Sequence, residues 1–127
     1  MKTLNDYTED ATTKLFNDTG TFFAFNKEQV DNSKKEGVEY IPLGMGDCCP
    51  KDNIDALIKG LKQIGIEGRK QDLLENGKKK IIHRELSNHE YGYTGDTTQT
   101  IEALRGYDIS EEEIEAEAKE YLRLYND

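Results

Sequence analysis

Apolar side chains are scarce in this chain, and that scarcity limits its fold more than any other feature. Eleven leucines, ten isoleucines, two valines and four phenylalanines make up about a fifth of the 127 residues, just above the composition at which a charged chain stays disordered. A chain of this length buries roughly two thirds of its unfolded surface. The expectation is one thin core in a single small domain, residues 1–127.

Periodicity places the elements. Leu4, Tyr7, Ala11 and Leu15 recur at helical spacing, so Asn5 to Asp18 reads as an amphipathic helix stopped near Gly20. Thr21 to Phe25 reads as an aromatic strand whose rings Phe22, Phe23 and Phe25, with Tyr40, are assigned to the core. Asn26 with Gln29 resembles a capping box opening a short exposed helix that Gly37 closes. Val38 to Leu43 is a second strand, placed at an edge because Pro42 cannot donate to a ladder. The two strands are expected to pair into a minimal two-stranded sheet.

After the turn Gly44-Met45-Gly46-Asp47, Pro50 stands where a first helical residue is tolerated, and Ile54, Leu57, Ile58, Leu61 and Ile64 form an apolar stripe. Further on, Leu73, Leu74 and Ile81 share one face, whereas Ile82, Leu86 and His89 lie about 100° around the cylinder. A break at Asn76-Gly77 reconciles the two. Tyr91 to Gly95 reads as a loop, Asp96 with Gln99 as the start of a helix carrying Ile101 and Leu104, and Gly106 as its end. Ser110 with Glu113 opens a last helix with a stripe of Ile114, Ala118, Tyr121, Leu122 and Tyr125. The fold class expected is α+β, predominantly helical, with about five or six helices.

Charge narrows the partners. The net charge of −9 is uneven: residues 1–58 sum to −5, residues 59–84 to +5 and residues 85–127 to −9. An acidic tail repels phosphate backbones, which argues against direct nucleic-acid binding, and a solvated helix face accounts for each patch equally well. No apolar run approaches the roughly 20 residues that span a bilayer, and Met1-Lys2-Thr3-Leu4-Asn5-Asp6 lacks the apolar stretch of a signal peptide. The cytoplasm, with no membrane, is the expected location.

Several residue groups invite a chemical reading. Glu85, Asn88, His89, Glu90, Tyr91, Tyr93, Thr94 and Asp96 bring carboxylates, an imidazole and tyrosines to one helix end and the next helix start. Such a set can do acid-base work, or it can be a capped turn and nothing more. Glu111, Glu112, Glu113, Glu115 and Glu117 form an acidic surface that suits the positive end of the last helix. Cys48, Cys49, His83 and His89 are the soft metal ligands, but adjacent cysteines and histidines six apart do not fit zinc spacing, so no metal or cofactor is expected. Adjacent cysteines also read as free thiols. Gly44 to Lys51 joins a strand to a helix without the Walker pattern or GxGxxG, and Asp47 would repel a phosphate.

Gly20-Thr21-Phe22-Phe23-Ala24-Phe25 with Glu28-Gln29, Cys49-Pro50-Lys51, Arg84 to Glu90, Tyr93-Thr94-Gly95-Asp96, Ala103-Leu104, Tyr107 and Glu112-Glu113-Ile114 resemble, in order and spacing, a family of small uncharacterised proteins encoded by bacteriophages and mobile elements. The resemblance spans roughly Leu15 to Tyr121. It implies a bacterial cytoplasm and an accessory or counter-defence role, and it carries no activity, cofactor or catalytic residue with it.

The functional expectation is therefore a non-enzymatic protein that binds an unidentified host or phage protein through the polar turn and its flanking helices. Two alternatives stand beside it. One is an acidic mimic that occupies a nucleic-acid-binding enzyme, as certain anti-CRISPR proteins do; the other is a small hydrolase or ligand-binding protein using His89, Glu85 and Glu90.

Overall fold

The computed structural model describes residues 1–44 and 46–126; Met45 and Asp127 lie outside the described residues, as do the side chains of Tyr125 and Asn126. Along the chain come α1 (Leu4–Thr19), β1 (Phe22–Phe23), α2 (Lys27–Ser33), β2 (Tyr40–Pro42), β3 (Asp47–Pro50), a 3-10 turn (Lys51–Asn53), α3 (Ile54–Asn88), α4 (Tyr91–Thr94), α5 (Thr98–Ala103) and α6 (Glu111–Asn126). The architecture is α+β and mostly helical. The described chain falls into two compact units, Asn5–Glu67 and Met1–Leu4 with Gly68–Asp127.

In the first unit the sheet has three strands rather than the expected two, in the order β1-β3-β2 and antiparallel throughout. The additional strand is β3, built from residues that read as the turn before a helix. Gly44 and Gly46 take positive φ values of 102° and 91°, which glycine adopts without strain, and Leu43 N–H donates to Asp47 C=O at 2.8 Å. The chain thus doubles back, pairing Ile41 with Cys49 and Phe22 with Cys48. Pro42 does sit on an edge strand. Cys48 and Cys49 are buried free thiols in the central strand.

The aromatic residues of β1 are not the core, contrary to expectation. Phe23 is 51% and Phe25 84% exposed, their rings 5.6 Å apart, while Phe22 meets Tyr40 edge-on at 5.4 Å. A two-residue strand turns alternate side chains to opposite faces, so Phe22 and Phe23 cannot both point inward. Asn26 caps α2 by accepting from Gln29 N–H at 2.9 Å, but Gln29 Oε1 accepts its return bond from Phe25 N–H rather than from Asn26. On α3 the apolar stripe is buried at Leu57, whereas Ile58 is 58% exposed. Gly60 lets α1 approach, since a Cβ there would meet the Leu15 methyl carbons at 2.7 Å.

The second unit holds the larger core. Ile81, Ile82, Leu86, Tyr91, Leu104, Tyr107, Ile114 and Ala118 pack together, with Leu4, Leu73, Ile101 and Tyr121 against them. Gly77 breaks α3 as the sequence predicted, with φ 79° and ψ 158°. The break resets the helix face, so Ile81 and Ile82 are both buried and Leu74 is exposed. The Ser110 box forms in full: Glu113 N–H donates to Ser110 Oγ at 3.1 Å and Ser110 N–H to Glu113 Oε1 at 3.2 Å. Tyr91 to Thr94 is one helical turn rather than the expected loop.

Candidate functional site

The expected site lies where α3 ends. His89 N–H donates to Glu85 C=O at 3.0 Å, continuing the helix by one residue. Glu90 then takes a left-handed conformation, φ 54° and ψ 37°, which reverses the chain and starts α4. Tyr93 and Thr94 N–H groups donate to Glu90 C=O, and Gly95 N–H donates to Tyr91 C=O. Gly95 is also left-handed, closing the turn. Asp96 Oδ1 accepts from Thr98 Oγ1 at 2.7 Å and Thr98 N–H at 3.0 Å. Those two donors, the hydroxyl first, hold the Asp96 carboxyl below its usual range.

A left-handed glutamate stores backbone strain of about 1–2 kcal/mol. Glu90→Gly removes it but loosens the unfolded chain, so the variant is expected to be more stable by about 0.5 kcal/mol in urea unfolding. A clear loss would show that the Glu90 side chain contributes more than its conformation costs.

The site residues separate into those tied down and those displayed. Tyr91 is buried, its ring edge-on to Tyr121 at 6.1 Å. His89 Nε2 stands 3.5 Å from Glu85 Oε2, too far for a strong hydrogen bond, and Glu85 Oε1 accepts from Arg84 Nε at 3.0 Å. Asn88 and Glu90 are exposed beside the reversal. Tyr93 is 94% exposed. The residues therefore share one chain reversal but do not converge into a pocket: none of them lines the cleft of about 530 Å³ in Asn5–Glu67. Nothing here pairs a nucleophile with a base and an oxyanion donor, as acyl-transfer chemistry would need.

The acidic face of α6 is largely engaged. Glu113 pairs with Lys78 at 3.2 Å, and the Ser110 N–H followed by Lys78 keeps its carboxyl below the usual range. Glu117 meets His83 Nε2 at 2.7 Å, and Glu115 accepts from the Thr97 hydroxyl. Glu111 and Glu112 lie exposed in the first turn. Among the described residues no three His, Cys, Asp or Glu side chains gather as a metal set.

Sequence reasoning missed the most organised polar group in the molecule. Asp72, fully buried, accepts from Arg84 Nη1 at 3.1 Å, Arg84 Nη2 at 3.0 Å, Asn76 Nδ2 at 2.8 Å and Tyr107 Oη at 2.6 Å. Arg84 Nη1 also donates to Lys2 C=O, which ties the first residues into the unit. Burial pushes the Asp72 carboxyl up, but Arg84, Tyr107 and Asn76 together bring it below its ordinary value. Burial, and then Asp72, push the Tyr107 phenol up. Burial works against the Arg84 cation too, yet Asp72 and Tyr107 hold its pKa above the usual value. Two helical stretches on either side of Gly77 and the segment after α5 are thus locked together by a satisfied ion pair. A spacing signal existed: Asp72 follows Leu57, Leu61, Ile64 and Gly68 at steps of three and four, so a carboxylate continued an apolar stripe.

A protein-family model described as a family of unknown function matches residues 4–124 of the chain. Comparison with curated proteins and with solved structures gives no match.

Proposed function

The chain belongs to the DUF7659 family of unknown function, and we propose that it acts as a non-enzymatic interaction protein, docking on another protein through Tyr93 and the turn that carries it. The observation that supports this reading is the contrast within the turn. Tyr91 is buried and backbone hydrogen bonds close both ends, while the Tyr93 ring projects almost entirely into solvent. A tyrosine displayed on a fixed backbone loses little entropy on binding and offers both apolar area and a hydroxyl, the properties of an interface anchor. Glu90 and Asp96 flank it, which favours a partner with basic residues around the pocket that receives the ring.

The setting we propose is the cytoplasm of a bacterial host, with the chain as an accessory, counter-defence protein of a phage or mobile element. The family blocks quoted above support that setting. Described residues include no helix long and apolar enough to cross a membrane. The acidic-mimic reading is weaker because Glu113, Glu115 and Glu117 already have partners on their own chain. The acid-base reading is weaker because Glu85 is held by Arg84.

Placing a photo-crosslinking phenylalanine derivative at position 93 tests the proposal. In cells that express the natural partner, it should give one dominant crosslinked protein, whereas the same group at exposed Leu74 should not. Equal, diffuse crosslinking from both positions would sink the reading.

A further inference from the structure

The first unit contains a cleft of about 530 Å³, within the range that holds a small ligand, and we propose that it is a site for an organic cation, an alkylguanidinium or alkylammonium group. Its apolar lining combines the rings of Phe16, Phe22 and Tyr40 with Val38 and Pro50. Ring faces attract cations.

The polar lining includes acceptors that a cation can use. Thr19 Oγ1 donates its single proton to Leu15 C=O at 2.8 Å, because a carbonyl can only accept. The 2.7 Å contact between the Thr19 and Thr21 hydroxyls must then use the Thr21 proton. Thr21, buried in the cleft wall, is left with acceptor lone pairs alone. Asn53 spends one amide N–H on Thr19 C=O at 2.8 Å, which leaves its Oδ1 as an acceptor beside its second N–H. Asp18 and Asp52 add two carboxylates to a lining that also holds Lys35; Asp18 is already paired with Lys14, which leaves Asp52.

The chain's own side chains show what this rim attracts. Lys14 Nζ sits 2.7 Å from Asp18 Oδ2, and Lys34 Nζ lies over the Tyr40 ring, 6.0 Å from its centroid. Asp52 has no ion-pair partner among the described residues and is the carboxylate left for a ligand. A cation with a short alkyl body satisfies all three features: the ring faces, the acceptors and the unpaired charge.

Titration of the full chain with agmatine, followed by 1H–15N NMR, tests the assignment. Saturable shifts should be confined to Thr19–Phe22, Tyr40 and Asn53. Asp52→Asn, at an exposed position, should weaken binding about fivefold. Glu112→Gln, the same loss of charge in the other unit, should leave it unchanged. A pentapeptide Gly-Gly-Arg-Gly-Gly that binds more tightly than agmatine would place the cation on a protein partner; the reverse order would place it on a free amine. Shifts that never saturate, shifts equally reduced by both substitutions, or equal binding of glutarate would overturn the proposal.

Discussion

Asp72→Ala is expected to cost about 3–5 kcal/mol, because it leaves the buried Arg84 guanidinium and the Tyr107 hydroxyl without their shared acceptor. That approaches the lower end of the roughly 5–15 kcal/mol by which a domain is stable. In urea unfolding, the cooperative loss of helix should move to much lower denaturant or disappear. Amide exchange at Ile81, Ile82 and Leu86, the core next to the ion pair, should lose its protection. The pH dependence has a definite sign. The folded-state pKa of Asp72 is depressed, so its contribution is present above the unfolded value near 4 and is lost as pH falls through the folded one. Tyr107 is raised, so its contribution is complete below about pH 10 and is lost as pH rises through the folded value. Stability should therefore be flat across neutral pH and fall at both ends. Replacing Asp72, Arg84 and Tyr107 together with Leu, Met and Phe should recover part of the loss, since the buried pair is removed as a whole while Glu85 gives up its bond from Arg84.

The second large effect is Leu86→Ala, expected to cost about 2–5 kcal/mol. Leu86 is fully buried among Tyr91, Leu104 and Ile114, and a core built from so few apolar residues has little to refill the space. Leu74→Ala, on the same helix but 82% exposed, should change stability by less than about 0.5 kcal/mol. Urea unfolding of both variants checks the contrast; equal effects would mean that the α3 face turned to the core is not the one described.

These two leucines also show where the sequence was informative and where it stopped. Helix positions, the Ser110 box and the break at Gly77 depend on residues within a few positions of one another, and local periodicity finds them. Which face of a helix is covered depends on what arrives from elsewhere in the chain, so Leu74 and Leu86 look alike until the structure separates them. The same reason hid β3. Cys48 stands opposite Phe22 on one side and Pro42 on the other, residues far from it or across a turn, and no Asn-Gly or Asp-Gly pair announces the hairpin. The scarcity of apolar residues suggested that Phe23 and Phe25 had to be core, yet Phe23 faces outward from the two-residue strand and Phe25 lies exposed beyond its end. At the candidate site, composition brought the right residues into view. Their division into buried Tyr91 and displayed Tyr93 followed from a left-handed Glu90 that no sequence pattern marks. Asp72, Arg84 and Tyr107 are brought together from positions 12 and 35 residues apart, beyond the reach of any local motif.

The most direct test of the docking role is to measure partner affinity and melting temperature on the same purified Tyr93→Ala protein. Because the ring makes almost no contact with its own chain, the melting temperature should stay at the wild-type value. If the ring anchors the interface, affinity for the crosslinked partner should fall by about thirtyfold, the loss of a hot-spot side chain worth about 2 kcal/mol. His89→Ala should do the reverse, lowering stability slightly and leaving the affinity of the folded protein unchanged. Wild-type affinity in a fully folded Tyr93→Ala protein would contradict the account.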